Sequence, residues 1–269
     1  MSIVHTEGIV LKTYDYSETS KIAVIFTKDY GKIKVMAKGA KSKKSNTQAV
    51  TEPGTYIRLV FYYKSDKELL TLSEATIIDQ YPKVRTDLVK FAYYMYVLEL
   101  IEVLFESDEG GSRDFFTECI AYINTFSESD NPELYVIALE VKMLKAHGHM
   151  FECQKCVECG KNVPRDLISS ANRTELHPHN TKTEIYLSTV QGGVICKKCK
   201  SVHNRGRKYP LTTLQTLLYL SQCSVEEVTA ISSRTREIVD IKNILRIRLD
   251  FLVGKSLKSL SFLEKTIKM

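Results

Sequence analysis

Lys21-Ile-Ala-Val-Ile-Phe-Thr-Lys-Asp-Tyr-Gly-Lys-Ile-Lys-Val-Met-Ala-Lys38 is the stretch whose reading decides the fold. Ile33, Val35 and Ala37 alternate with Lys32, Lys34, Met36 and Lys38, so this run makes a strand with one apolar face and one largely cationic face. Asp29-Tyr30-Gly31 is a short hairpin connection back to Lys21–Thr27, with Gly31 free to take a positive φ. Working outward, Glu7 to Tyr14, Gly54 to Tyr63 and Glu68 to Ile78 are rich in Ile, Val, Thr, Tyr and Phe and are bounded by turn residues. Strands of this kind, packed into residues 1–80, fit a small β-barrel of the oligonucleotide-binding (OB) type. Any five-stranded sheet or an SH3-like barrel satisfies the same alternation.

From Pro82 the apolar period lengthens from two to about 3.6. Val84, Leu88, Phe91, Ala92, Met95 and Leu98 form a stripe on one helix running to about Phe105. Ser112 can cap a second helix carrying Phe115, Phe116, Cys119, Ile120 and Ile123, and Asn131-Pro132-Glu133 opens a third that stops at Gly148. Helices resume with Leu214, Leu217, Leu218 and Leu220, followed by a longer one with Ile238, Ile241, Ile244, Leu245, Leu249 and Leu252. The two helical blocks are expected to pack together, since neither has enough apolar faces for a core of its own. The expected organisation is therefore α+β: residues 1–80 a barrel, residues 81–150 and 205–269 a helical domain, and residues 151–204 an insert.

That insert holds Cys156-Val-Glu-Cys159-Gly160 and Cys196-Lys-Lys-Cys199, two Cys-x2-Cys pairs. Each pair can place two thiolates on one ion while turn N–H groups donate to the sulfurs, and four thiolates close a tetrahedral zinc site with no open position. The metal is thus expected to be one structural Zn²⁺ and not a hydrolytic centre. Cys153-Gln-Lys-Cys156 has the same spacing, so Cys153 competes for a place; Gly160 favours Cys156 and Cys159. His177, His179 and His203 read as solvated, His147 and His149 as groups at a helix C-terminus, and Cys119 and Cys223 as small buried hydrophobes.

Charge is distributed unevenly: residues 1–80 carry +3, 81–150 carry −6, 151–204 carry +3 and 205–269 carry +6. The basic parts suggest a polyanionic partner. Lys34, Lys38, Lys41, Lys43 and Lys44 continue the cationic strand face into a loop, and Arg205, Arg207 and Lys208 form a second cluster. Arg234, Arg236, Lys242, Arg246 and Arg248 form a third. Tyr14, Tyr16, Tyr30, Tyr56, Phe61, Tyr62 and Tyr63 offer aromatic surface for base stacking, about half of it expected to point into the core. No nucleophile elbow, phosphate-loop lysine, paired-carboxylate signature or nucleotide-binding glycine fingerprint occurs, so no enzyme is expected. The composition, 43% hydrophobic and 26% charged with few Gly and Pro, is that of a globular protein, not of a disordered one. Without a long apolar run or a secretory leader the chain is expected to be cytoplasmic and nucleoid-associated.

The order of parts resembles the bacterial RecO family of recombination mediators. The segments that carry the resemblance are Glu7-Gly-Ile-Val-Leu-Lys12, Tyr16-Ser-Glu-Thr-Ser-Lys-Ile22, Phe26-Thr-Lys-Asp-Tyr-Gly31, Ala37-Lys-Gly-Ala-Lys41, the two cysteine pairs and Leu257-Lys-Ser-Leu-Ser-Phe-Leu263. The resemblance implies binding of single- and double-stranded DNA, annealing of complementary strands, contact with the acidic C-terminal tail of single-strand binding protein, and work with RecR to load RecA. It implies no membrane partner. The segment between strands three and four is short for the helix such barrels commonly carry there. A rival reading, from the cysteines and charge, is a zinc-containing transcriptional regulator that reads duplex DNA.

Overall fold

In the computed structural model, which describes residues 2–41, 47–64, 67–105, 112–163, 184–203, 206–231 and 235–268, the alternating stretches form a closed barrel. Strand β1 (Ser2–Asp15) is long enough to serve two neighbours. Ser2 to Ile9 runs antiparallel to β4 (Tyr56–Tyr63), and Gly8 to Asp15 runs antiparallel to β2 (Lys21–Thr27). Where the two pairings overlap, a Cβ on Gly8 would stand 2.6 Å from Cγ2 of Ile25, so the backbones approach this closely only with glycine there. Strand β3 (Gly31–Ala37) pairs antiparallel with β2 and parallel with β5 (Leu69–Asp79), and β5 returns antiparallel to β4. The closed order β1-β2-β3-β5-β4 is that of an OB barrel, and the closure distinguishes it from an open sheet.

Inside lie Val10, Ala23, Ile25, Ile33, Val35, Ile57, Leu59, Phe61 and Leu70. Val50 joins them from a short helix α1 (Thr47–Val50) between β3 and β4. The connection, expected to be short for a helix, carries a single turn, which suffices to bring one apolar side chain into the core.

The long helix expected after Pro82 is two helices, α2 (Pro82–Thr86) and α3 (Leu88–Leu104). Asp87 between them is extended and accepts hydrogen bonds from the N–H groups of Val89 and Lys90, which caps α3 and ends α2. The expected stripe is also shifted. Leu88 is 54% exposed, whereas Tyr93, Tyr94, Tyr96, Val97, Leu100 and Ile101 are buried with Ala92 and Leu98. Helix α4 (Ser112–Glu128) buries the expected Phe115, Phe116, Cys119, Ile120 and Ile123.

The chain divides into two compact units, Met1–Pro132 with Leu257–Met269, and Glu133–Ser256. In the first, the outward side of β2 is partly covered: Phe26 lies 5.2 Å from Phe105 and 5.6 Å from Phe116 between ring centroids. Helix α9 (Lys258–Ile267) packs on α3, and the Glu99 carboxylate caps it by accepting from the N–H groups of Lys258 and Ser259 and from the Ser259 hydroxyl.

The second unit holds α5 (Pro132–Ala146), which ends at Gly148 with φ 67° and a His149 N–H to Leu144 C=O bond of 2.8 Å. It continues with β6 (Glu184–Ser188), β7 (Gly193–Ile195), α6 (Lys197–His203) and β8 (Arg207–Pro210). Strand β8 pairs with β6 to complete a three-stranded sheet in the order β7-β6-β8. Helices α7 (Leu211–Leu220) and α8 (Thr235–Val253) follow. Lys142 of α5 donates to the carbonyl of Cys223 beyond α7.

Candidate metal centre and nucleic-acid interface

The first cysteine pair lies in a turn closed by a Gly160 N–H to Cys156 C=O bond of 2.8 Å, with Gly160 at φ 70°. Cys196 follows β7 directly and Cys199 lies in α6. The first turn is stitched to β7: Val157 N–H donates to Val194 C=O (3.0 Å), and Glu152 exchanges bonds with Gly192 and Val194 (2.8 and 2.9 Å). A Cβ on Gly193 would stand 2.4 Å from Cγ1 of Val157 and 2.7 Å from the Glu152 carbonyl oxygen, so the glycine is what lets this edge close.

The stitching brings the Sγ atoms of Cys156, Cys159, Cys196 and Cys199 within 4.8 Å of one another. Cys159 and Cys196 are 3.8 Å apart. A tetrahedral ion at about 2.3 Å from each sulfur sets neighbouring sulfurs about 3.8 Å apart, so the donor set fits such an ion. The Cys196 N–H donates to Cys156 Sγ at 3.3 Å. Burial pushes the Cys156 thiol up, but N–H groups of Cys196, Cys159 and Glu158 outweigh it and bring the thiol down to about 6, where it is readily a thiolate. Cys153 stays outside the cluster. Its buried thiol donates to the Phe151 carbonyl, and burial followed by the charge of Glu152 pushes it up to about 12. Cys199 is pushed the other way, up to about 12, by burial and by the neighbouring sulfurs, and it is the geometry of the four cysteines together that could hold a metal ion.

On the barrel, the cationic face of β3 divides. Lys32 donates to the Glu102 carbonyl and Lys12 pairs with the Glu102 carboxylate, both at 2.6 Å, which fixes that part of the barrel to the end of α3. Lys34 and Lys38 are exposed and make no ion pair with a described residue. Lys41 is engaged with Asp15 (3.0 Å) and the Ser17 carbonyl (2.7 Å), and Lys43 and Lys44 lie outside the described residues. Tyr14 and Tyr16 are 48% and 56% exposed, and the Lys12 ammonium sits 5.1 Å from the Tyr14 ring centroid. Of the other aromatic candidates, Phe61 is core, Tyr30 packs edge-on against it, and the Tyr56 hydroxyl donates to Glu7. At this end of the barrel Tyr14, Ile22 and Met36 form one row across β1, β2 and β3, Lys34 lies two residues from Met36 on β3, and exposed Tyr16 and Lys38 follow just beyond the ends of β1 and β3.

In the second unit Arg207 is exposed on β8, Lys208 pairs with Glu184, and Arg205 lies outside the described residues. The third basic cluster is only partly the open surface that its sequence suggests: Arg236 is exposed and Arg246 half-buried. Lys242 pairs with Glu133, while Arg248 is only 7% exposed and donates to the Val190 carbonyl at 2.5 Å. Arg248 also lies 5.9 Å from the Phe151 ring, and burial pulls its guanidinium down from the usual range. It fastens α8 to the β6–β7 turn. Arg234, His177 and His179 lie outside the described residues.

Residues 1–81 match the family model described as Recombination protein O N terminal, and residues 85–261 match Recombination protein O C terminal. The chain is 30% identical to DNA repair protein RecO of Halalkalibacterium halodurans, covering 98% of this chain and 95% of that one. It is 29% identical to the protein of that name from Clostridium novyi (97% and 93% covered) and 28% identical to that from Clostridium perfringens (98% of both).

Proposed function

This chain belongs to the RecO family of DNA repair proteins, and from that premise we propose that it is a non-enzymatic recombination mediator. It binds single- and double-stranded DNA, anneals complementary strands, and with RecR helps RecA onto single strands coated with single-strand binding protein. The observation that carries this reading is the OB barrel's β1–β2–β3 end, where Tyr14, Tyr16, Lys34 and Lys38 are all exposed on adjoining strands or just past their ends. Such a surface can stack bases while cations follow the phosphates, without reading sequence. Lys41 and Lys208, held in exposed pairs, can exchange a carboxylate for a phosphate at little cost. Arg207 adds a cation on β8.

The ion we propose at Cys156, Cys159, Cys196 and Cys199 is one zinc, for which four thiolates in a closed set are the usual structural donors. When bound it supplies a cross-link. The cysteines hold the two turns together, and the β7 hydrogen bonds orient them. Annealing and mediation make and break base pairs, not covalent bonds, so the role requires no catalytic group. The acidic tail of single-strand binding protein is proposed to dock on the helical part, by an apolar pocket and a cation. As functional segments we propose 1–80, 81–150 with 205–269, and 151–204, a division that cuts across the two compact units, and we propose that the protein works in the cytoplasm on the nucleoid. No described helix is long and apolar enough to cross a membrane. The rival reading as a duplex-reading transcriptional regulator has no support, since both matched segments belong to the recombination family.

The test is RecA filament formation on coated single strands with RecR present. The expected result is faster RecA loading when the chain is added. An unchanged loading rate, with coated strands and RecR shown to be active by a known RecO, would overturn the mediator reading.

A further inference from the structure

The cysteine module carries a charge pattern that holding an ion does not require. Lys155 precedes Cys156, Lys161 follows Cys159 by two residues, and Lys197 and Lys198 lie between Cys196 and Cys199. The four sulfurs lie within 4.8 Å of one another, and each lysine is within two residues of one of these cysteines in the chain, so the four lysine backbones belong to one two-turn tip. All are exposed, and none makes a side-chain hydrogen bond or ion pair with a described residue. The acids nearby are used differently: Glu152 accepts from the N–H groups of Gln154 and Lys155, Glu184 is paired with Lys208, and Glu158 is half-buried in the first turn. Residues 155–162 and 196–199 include no exposed large apolar side chain. Val202 at the far end of α6 is the exposed apolar side chain nearest in sequence, so the tip itself offers cations and little apolar surface, which suits a polyphosphate backbone better than an acidic peptide.

We propose that this two-turn tip is a second phosphate-binding surface, which holds a DNA strand through Lys155, Lys161, Lys197 and Lys198 independently of the barrel. The inference rests on the DNA-binding reading above and deepens it. The barrel face and the tip belong to different compact units, so one chain offers two strands a surface each. That is what annealing requires.

The test uses the full chain loaded with zinc, a labelled single-stranded oligonucleotide and anisotropy titrations over a range of KCl. Replacing the four lysines by Gln should lower the salt slope by about 0.7 for each phosphate that is no longer neutralised, and by about two in total if three of them engage. Zinc content and melting temperature should not change. Lys34→Ala with Lys38→Ala should lower the slope separately, and the two decreases should add. An unchanged slope in the quadruple variant would overturn the tip while leaving the barrel reading intact. An unchanged slope with faster zinc loss to a chelator would show instead that the lysines screen the thiolates. Absence of salt-dependent binding by the unaltered chain would overturn both readings. Should the quadruple variant fail to fold, Lys155→Gln and Lys198→Gln singly are each expected to lower the slope by about 0.7, and unchanged slopes in both overturn the proposal.

Discussion

Gly193→Ala is expected to loosen the metal module without touching a cysteine. The added methyl would meet Val157 Cγ1 at 2.4 Å and the Glu152 carbonyl oxygen at 2.7 Å. Valine is stiff at χ1, and the carbonyl is held by the Val194 N–H at 2.9 Å, so neither neighbour yields easily. Relief requires the 152–157 segment to draw back from β7, which weakens the bonds Glu152–Gly192, Val194–Glu152 and Val157–Val194. At about 1 kcal/mol net for each bond the cost is about 1–3 kcal/mol, the range usual for overpacking. A cost of about 2 kcal/mol, borne by the arrangement that brings the sulfurs together, corresponds to zinc held about 30-fold more weakly. Competitive chelator titration measures this, with thermal unfolding alongside. Zinc affinity within threefold of the unaltered chain and an unchanged melting temperature would refute the argument that the β7 edge positions the cysteines.

Other perturbations address the rest of the scaffold. Asp87→Ala removes the cap of α3 and should cost about 1 kcal/mol in denaturant unfolding, with Asp87→Asn or Ser recovering most of it. Glu99→Gln weakens the cap that α3 supplies to α9, and exchange of the backbone amides at Lys258 and Ser259 should speed up before the barrel amides do. Glu7 is held below the usual carboxylate range by the Tyr56 hydroxyl and then by Arg58, so its contribution is present above about pH 4.3 and is lost as pH falls through the lower folded value. Tyr56 is raised by burial and then by Glu7, so its share is lost as pH climbs beyond about 10. Glu7→Gln should flatten both ends of the stability–pH curve by about 0.2–1 kcal/mol.

How far these features could be read from the sequence depended on the range of the interactions that make them. Strand alternation around Ile33 and Val35 is local, and it led to the right face of β3. The break at Asp87 was within reach, since an Asp ahead of an apolar run is a capping signal, yet the continuous 3.6 period hid it. The cysteine spacing showed that each pair could share an ion. It could not show that β7 would bring both pairs together or leave Cys153 out, because that depends on backbone bonds to Gly192 and Val194. Gly192-Gly193 was the visible hint of that close approach. The fate of the cations was least legible. Arg248 looks like surface charge until carbonyls from Val190 and His149 enclose it, and Lys41 looks free until Asp15 reaches it from the other side of a turn. Arg207 and Lys208 follow the cysteine pairs in sequence but belong to the same sheet as β6.

The most direct measurement is the annealing of complementary single strands, each coated with single-strand binding protein, by the purified chain without ATP. Annealing is expected to be accelerated, with an acceleration that falls with rising salt and is reduced by Lys34→Ala with Lys38→Ala. Annealing at the rate of the coated strands alone, from a chain that is folded and carries its zinc, would contradict the mediator reading.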